Sequence, residues 1–214
     1  MTSRPHFIIT LDGPVASGKS TVGKGVAEKM GYLFLDSGLF YRAAAWACLK
    51  DSLSIDDPVL VEVAVLRGRF EMVAGQMRHR GAPISAAALQ TPEVSMAASK
   101  IATQPDVRRE LTYRMQIATR NDSYVITGRD AGMVIAPNAA LKVFLWADVD
   151  ERAARSRLSP LGRNDEGDDF SGVLKNLSAC DQQDILRAAD PLAFTDDIAQ
   201  NLRKYPLASG LINQ

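Results

Sequence analysis

The chain has 214 residues, with 25 basic and 25 acidic side chains and therefore a formal net charge of zero. This length is enough for one well-buried α/β core with small insertions, and it favours a single domain over residues 1–214. The balanced charge excludes the broad basic surface typical of nucleic-acid-binding proteins, so we expect no nucleic-acid partner.

The two cysteines, Cys48 and Cys180, lie far apart in the sequence and suggest neither a disulfide framework nor a zinc site. His6 and His79 have no metal-ligand spacing, and we expect both to be exposed to solvent. No apolar run is long enough to span a bilayer, and the first one is too short for the core of a signal peptide. We expect a cytoplasmic protein, a monomer, with no membrane partner.

A phosphate-binding loop follows the first predicted strand, which covers residues 7–11. The stretch from Gly13 to Ser20, GPVASGKS, fits the G-x-x-x-x-G-K-[ST] template at every fixed position. Its glycines let successive backbone N–H groups turn inward around an anion, and the dipole of the following helix reinforces that site. Lys19 is expected to reach the β- and γ-phosphates of a nucleoside triphosphate. The Ser20 hydroxyl is expected to bind Mg²⁺, which enters with the nucleotide.

Alternating strands and helices then predict an α/β fold with a parallel sheet. Val22, Val26 and Met30 recur every four residues and predict a helix that Gly31 ends. Residues 32–35 predict a second strand, and residues 39–51 a second helix. In such a fold, ligands bind outside the carboxyl ends of the strands.

The middle of the chain predicts an insertion outside this sheet. Residues 59–66 predict a helix, and residues 69–73 and 77–80 are typical of the arms of a small hairpin. Two helices follow, each with apolar residues at helical spacing. The first has Val94, Ala97, Ala98 and Ile101; the second begins at Pro105 and has Val107, Leu111 and Met115, with Arg108 beside them.

The last part of the chain returns to the sheet. Residues 124–127 and 141–146 are nearly continuous apolar runs, which is typical of strands covered on both faces. A helix is predicted over residues 151–158, followed by a polar, Gly- and Asp-rich stretch at 159–169 that is either a loop or a mobile lid. Another helix runs from about residue 170 to 189 and stops before Pro191.

Three places carry polar groups that could face the triphosphate. They are Asp36-Ser37-Gly38 with Tyr41 and Arg42, then Gly128-Arg129-Asp130, and finally Asp184 with Arg187. Phosphoryl transfer needs groups that position the reactants and neutralise charge, and the arginine fork binds phosphate oxygens well. Structural alternatives remain open: Arg42 on a solvated helix face, Asp130 as a helix cap, and Ser99 as an exposed helix serine.

Three sequence blocks stand out together: LDGP at 11–14 running into GKST at 18–21, LDSGLFYR at 35–42, and GRDAG at 128–132. The stretch from Glu93 to Arg108 adds to them. Together they resemble the bacterial cytidylate kinases, a family of nucleoside monophosphate kinases. The resemblance covers residues 7–158 and fades afterwards.

The resemblance implies a P-loop kinase fold with a parallel sheet of about five strands, a monophosphate-binding insert at 60–105 and a lid at 159–169. It also implies transfer of the ATP γ-phosphoryl group to CMP or dCMP, with Mg²⁺ entering with ATP and bound at Ser20. The ATP-binding residues it implies are Gly13, Pro14, Val15, Ala16, Ser17, Gly18, Lys19, Ser20 and Thr21.

The resemblance further implies roles for individual side chains. Lys19, Arg129 and Arg187 would be catalytic, the two arginines holding phosphates. Ser37, Tyr41 and Arg42 would border the acceptor nucleotide, with Arg42 on its phosphate; Ser99, Arg108 and Asp130 would read the cytosine edge, and Asp184 would hold the sugar hydroxyls.

The chain departs from the family pattern at three places. Cys180 stands where the family usually has an arginine, so one phosphate-binding guanidinium is missing unless Arg163 in the predicted lid replaces it. Gln90 stands where a basic residue is common, and the residues after Pro191 are more polar than the buried strand of the family. Two alternatives follow: a kinase for a modified pyrimidine nucleotide, and a nucleotide-binding regulatory protein with weakened catalysis.

Overall fold

The computed structural model describes residues 6–73, 75–158, 170–186 and 192. The strands within these residues are β1 (Ile8–Asp12), β2 (Leu33–Asp36), β3 (Glu71–Val73), β4 (Gln76–His79), β5 (Ala82–Pro83), β6 (Tyr124–Gly128) and β7 (Leu141–Phe144). The helices are α1 (Lys19–Met30), α2 (Ser37–Lys50), α3 (Pro58–Gly68), α4 (Pro92–Ile101), α5 (Pro105–Ala118), α6 (Val149–Leu158) and α7 (Phe170–Leu186).

The main sheet of the described chain is parallel, with the order β2-β6-β1-β7 and helices packed against it. The predicted α/β class is therefore confirmed. The sheet has four strands in the described part of the chain, where about five were expected. The strand expected after Pro191 lies outside the described residues.

The strand register places three polar segments at one edge of the sheet. Asp12 at the end of β1 pairs with Gly128 at the end of β6, and Asp36 at the end of β2 pairs with Thr127. The phosphate loop, the start of α2 and the segment after β6 therefore open on the same side, as the sequence predicts. Asp36 also caps α2, because its carboxylate accepts a hydrogen bond from the Gly38 N–H at 3.0 Å.

Helix α1 forms as predicted, but of the three residues of its predicted apolar stripe only Val26 packs against the core. Val22 and Met30 are 44% and 49% exposed, whereas Gly23 and Ala27 are buried against the sheet. A β-carbon on Gly23 would lie 2.8 Å from Thr127 Cγ2 and 2.9 Å from Phe34 Cε2. The helix backbone thus approaches the sheet closely through its small residues, which an apolar periodicity does not detect.

The predicted hairpin forms between β3 and β4, and β5 extends it into a separate antiparallel sheet. The expectation that His79 is exposed is wrong. Its ring is buried on this insert, stacked on Phe70 with a centroid distance of 5.3 Å and edge-on to Trp46 at 5.7 Å. Burial lowers the pKa of His79, so an uncharged ring fills this apolar site.

The large core joins the insert to one face of the sheet. The predicted stripes of α4 and α5 are buried in it, together with Cys48 and four alanines of α2. The strand β6 is buried along its whole length, but β7 lies at the edge of the described sheet and is only partly covered, contrary to expectation. Within the described residues, no helix is both long and apolar enough to cross a membrane.

The close contact of α1 can be tested with a matched pair of alanine substitutions. Gly23→Ala is expected to lower the free energy of unfolding by about 1 kcal/mol, because overpacking outweighs the gain in helix propensity. Gly25→Ala, whose new methyl group meets no atom within 4 Å, is expected to raise it by about 0.5–1 kcal/mol. Urea unfolding measures both values, and equal stabilisation by the two substitutions would contradict the packing described here.

Candidate active site

A cleft of about 390 Å³ lies at the carboxyl edge of the main sheet. Its lining includes most of the site residues predicted from the sequence: Val15, Ala16, Lys19, Ser20, Ser37, Tyr41, Arg42, Ser99, Arg108, Arg129, Asp130 and Asp184. It also includes Cys180. The phosphate loop and the predicted acceptor residues therefore border one shared space.

The backbone of the phosphate loop adopts conformations at Gly13 and Gly18 that favour glycine. Gly13 has a φ of +149°, and a β-carbon there would lie 2.1 Å from the carbonyl oxygen of Leu145 after β7. Gly18 is the N-cap residue of α1 and has a φ of +94°. No side chain forms a capping hydrogen bond at this end of the helix. The first N–H groups of α1 therefore point to the loop without a side-chain acceptor, as an anion-binding helix end should.

Lys19 is nearly buried within this loop. Its ammonium group donates hydrogen bonds to the carbonyl oxygen of Pro14 at 2.5 Å and to Ser17 Oγ at 3.3 Å. Burial, and then the charge of Arg129, lower the pKa of Lys19 to about 6. The side chain expected to meet the β- and γ-phosphates is thus held by the loop itself.

Asp12 connects the phosphate loop to the segment after β6. Its two carboxylate oxygens accept hydrogen bonds from the backbone N–H groups of Ala131 and Gly132, each at 2.8 Å. Those residues begin a short π-helical turn, Ala131–Ile135, directly after Asp130. Burial raises the pKa of Asp12 to about 6 although these two hydrogen bonds favour the ionised form.

Two ion pairs cross the cleft beyond the sheet edge. The guanidinium of Arg108 on α5 donates to the Asp130 carboxylate and, at 3.2 Å, to the carbonyl oxygen of Ala102. Arg129 donates through Nε to Asp184 Oδ2 on α7 at 2.6 Å. The sequence predicts only that Arg108 lies beside the apolar stripe of α5. In the structure the Arg108 side chain is buried, with 3% of its surface exposed.

The first turns of α2 supply further side chains that line the cleft. Ser37 is buried at the start of the helix, and a β-carbon on Gly128 would lie 2.8 Å from its hydroxyl. Arg108 also lies over the ring of Tyr41, 5.7 Å from the centroid. Arg42 has no hydrogen-bond or ion-pair partner among the described residues, so its charge is available to a ligand in the cleft.

Some predicted residues are placed differently. Ser99 lines the cleft from the exposed side of α4, and its carbonyl oxygen accepts a hydrogen bond from Gln183 Nε2 at 3.1 Å. Thr21 is exposed and does not line the cleft. Arg187, Arg163 and the predicted lid at 159–169 lie outside the described residues.

Sequence reasoning missed two buried side chains of the site. Asp12 was noted only as part of a motif, although a carboxylate at the end of an apolar strand must find buried partners. Arg152 is one of three arginines on the polar helix α6, yet it donates to the carbonyl oxygen of Val15 in the phosphate loop at 3.1 Å. The sequence of α6 contains no signal that separates Arg152 from exposed Arg155.

The described residues suit Mg²⁺ that arrives with a nucleotide. The Ser20 hydroxyl donates to Asp36 Oδ2 at 3.4 Å, which places two oxygen ligands of the kind Mg²⁺ prefers beside Lys19. No group of three or more acidic, histidine or cysteine side chains could form a metal cage within the described chain. Ser20 and Asp36 would hold the ion together with phosphate oxygens.

Comparison with known proteins gives the same assignment as the motifs. The family model for cytidylate kinase matches residues 9–201. The chain belongs to the cytidylate kinase family. Curated relatives named cytidylate kinase include one from Pasteurella multocida, 37% identical over 195 residues that span 89% of this chain and 85% of the relative. Another, from Brucella suis, is 38% identical over 192 residues that span 89% of this chain and 82% of the relative.

Membership of the cytidylate kinase family makes the chain an ATP-dependent phosphotransferase. The kinases of this family named above align with the chain over most of their own length, so the match includes the cleft and both sides of it.

The lowered pKa of Lys19 generates a prediction about nucleotide binding. ATP phosphates near Lys19 would raise its pKa again, so binding of Mg·ATP at about pH 8 is expected to take up about one proton per site. Calorimetry in buffers of different ionisation enthalpy measures this uptake. In Lys19→Arg, whose side chain keeps its charge, the uptake should disappear, whereas equal uptake by both proteins would contradict this description.

Proposed function

We propose that the chain transfers the γ-phosphoryl group of ATP to CMP or dCMP, giving ADP and CDP or dCDP. The observation that carries this proposal is one cleft with two differently built sides. On one side is a phosphate loop with Lys19; on the other, a buried Arg108–Asp130 pair lines the same space as Arg42. A donor triphosphate and an acceptor monophosphate would be held facing each other.

The Arg108–Asp130 pair has the hydrogen-bonding pattern that a cytosine edge requires. Cytosine presents an amino donor at N4, next to an acceptor at N3. The Asp130 carboxylate would accept from N4, and the Arg108 guanidinium would donate to N3. Uracil has an acceptor oxygen at the position of the amino group, which would face a carboxylate, so the pair supports selection of cytosine.

The phosphates would be bound by the cations of the cleft. Arg42, available within the described chain, suits the acceptor phosphate, and Lys19 suits the β- and γ-phosphates. Arg129 and Arg187 would hold the transferred group, and Asp184 would exchange its bond with Arg129 for the sugar hydroxyls. The main work of these side chains is to place the acceptor oxygen in line with the γ-phosphorus. Mg²⁺, when bound, would neutralise charge on the β- and γ-phosphate oxygens.

The acceptor should be identified with a panel of CMP, dCMP, UMP, AMP and GMP in a coupled ADP-release assay. We expect CMP or dCMP to be used best, and turnover of a purine alone would overturn the proposal.

Asp130→Asn is expected to lower kcat/KM for CMP by about 10²-fold or more. It should also narrow the preference for CMP over UMP, because the amide of asparagine can donate a hydrogen bond as well as accept one. The control is Asp106→Asn, which breaks an exposed ion pair with Arg109 on the same helix as Arg108.

Cys180 favours a second candidate, a nucleotide-binding regulatory protein with weakened catalysis. This neutral side chain lines the cleft where the family usually has an arginine, and burial raises the pKa of its thiol, so it adds no charge. Binding of both nucleotides without turnover would support that candidate.

A kinase for a modified pyrimidine nucleotide would be recognised by its preference for such an acceptor over CMP. A cytoplasmic location and a monomeric state stay predictions.

The missing arginine can be restored. Cys180→Arg is expected to raise kcat by about tenfold, because an arginine on the transferred phosphoryl group stabilises charge in the transition state. Steady-state kinetics at saturating CMP and ATP measure the change. Cys180→Met, which adds length without charge, should leave kcat unchanged or lower, and an equal increase in both variants would contradict a role for charge at this position.

A further inference from the structure

Arg152 is the most deeply buried charged side chain of the described residues, with 1% of its surface exposed. It lies on α6, outside the lining of the cleft. Its guanidinium donates from Nε to the carbonyl oxygen of Ala147 at 2.8 Å, from Nη1 to that of Val15 at 3.1 Å, and from Nη2 to Asp181 Oδ2 at 2.6 Å. One planar group therefore contacts three separate segments of the chain.

Two of these segments belong to elements that line the cleft. Val15 is part of the phosphate loop, and Asp181 lies on α7, three residues before Asp184. Because residues three apart share a helix face, the helix that Arg152 holds at Asp181 presents Asp184 to Arg129 one turn later. The contact chain thus runs from the phosphate loop through Arg152 and α7 to Arg129.

Apolar packing follows the same route. Val173 and Leu177 of α7 are buried against Ala153 of α6, and Val15 and Ala16 of the phosphate loop pack against this cluster. The packing brings α7 to the loop but is non-directional. The three hydrogen bonds of Arg152 add direction, because the guanidinium presents its donors in a fixed plane.

The buried ion pair is not explained by stability alone. Replacing such a pair with apolar side chains of similar volume is often neutral or stabilising. The second oxygen of Asp181, Oδ1, is buried without a hydrogen-bond partner in the described structure, which adds to the cost of the pair. The indole of Trp146 lies beside the guanidinium at 5.9 Å, so the surroundings would accept an apolar side chain.

We propose that Arg152 is a positioning residue that couples the phosphate loop to α7. Through its hydrogen bonds to Val15 and Asp181, Arg152 orders the phosphate loop for ATP and fixes the positions of Asp184 and Arg129 relative to the loop. The part of this inference that concerns phosphoryl transfer rests on the proposed function. The part that concerns the loop requires only that the chain binds ATP.

The experiment separates positioning from stability with a double substitution. Arg152→Met and Asp181→Leu should each destabilise the protein, because each leaves one buried charge without its partner. The double variant Arg152→Met/Asp181→Leu should recover the wild-type stability in urea unfolding. We expect it nevertheless to bind Mg·ATP about tenfold more weakly and to have a kcat with CMP about 10²-fold lower, since small displacements of positioned groups are costly.

The matched control is the other ion pair of α6, Glu151–Arg155, which is exposed and spaced by one turn. Glu151→Leu/Arg155→Met should change neither ATP affinity nor kcat. Arg152→Lys gives an independent measurement if the double variant does not fold. It keeps the positive charge, but an ammonium group cannot reach three acceptors in one plane, so ATP affinity should still fall.

A double variant that recovers wild-type ATP affinity together with its stability would overturn the inference, and so would wild-type affinity in a folded Arg152→Lys. These outcomes are distinct from failure of the proposed function. A wild-type protein that binds Mg·ATP but phosphorylates no pyrimidine monophosphate would overturn the function and leave the affinity measurements to decide the role of Arg152.

Discussion

Asp12 accepts two backbone hydrogen bonds at the carboxyl edge of the sheet, and the geometry of the cleft depends on them. They tie the end of β1, where the phosphate loop begins, to the turn that carries Arg129 and Asp130. Burial raises the pKa of Asp12 to about 6, so its ionised form at neutral pH costs on the order of 3 kcal/mol relative to the unfolded chain. That cost begins above the ordinary pKa of 3.8 and is complete above about 6. An interaction retained at such a cost is better understood as fixing geometry than as adding stability.

The charges of the cleft are arranged around that fixed edge, and most of the cations already have a partner. Lys19 is held by Pro14 and Ser17, Arg108 by Asp130, and Arg129 by Asp184. A substrate at these three side chains therefore exchanges one set of polar contacts for another, whereas Arg42 has no such partner among the described residues. Such exchange makes binding depend on groups that match the released partners, which favours specificity over raw affinity.

The sequence predicted the parts of the molecule that follow local rules. The phosphate loop, the strand ends and the apolar stripes of α4 and α5 depend on short spacings, and the structure contains all of them. The orientation of α1 was not predictable in this way, because Gly23 faces the sheet by close backbone approach, which leaves no apolar residue to count. The burial of His79 and Arg152 could not be predicted for a related reason. Each side chain contacts a partner on a different element, more than 25 residues away in the sequence: Trp46 for His79 and Asp181 for Arg152.

Helix α7 separates the contacts that hold it in place from the charge that it presents to the cleft. Cys180 lines the cleft without adding charge, while Asp181 and Asp184 of the same helix keep their pairs with Arg152 and Arg129. These two ion pairs anchor the helix through residues other than Cys180, so the packing of α7 does not depend on a charge at position 180. The effect of an uncharged residue at position 180 is therefore electrostatic: Cys180 adds no positive charge to the cleft, and positive charge near a transferred phosphoryl group acts mainly on the transition state.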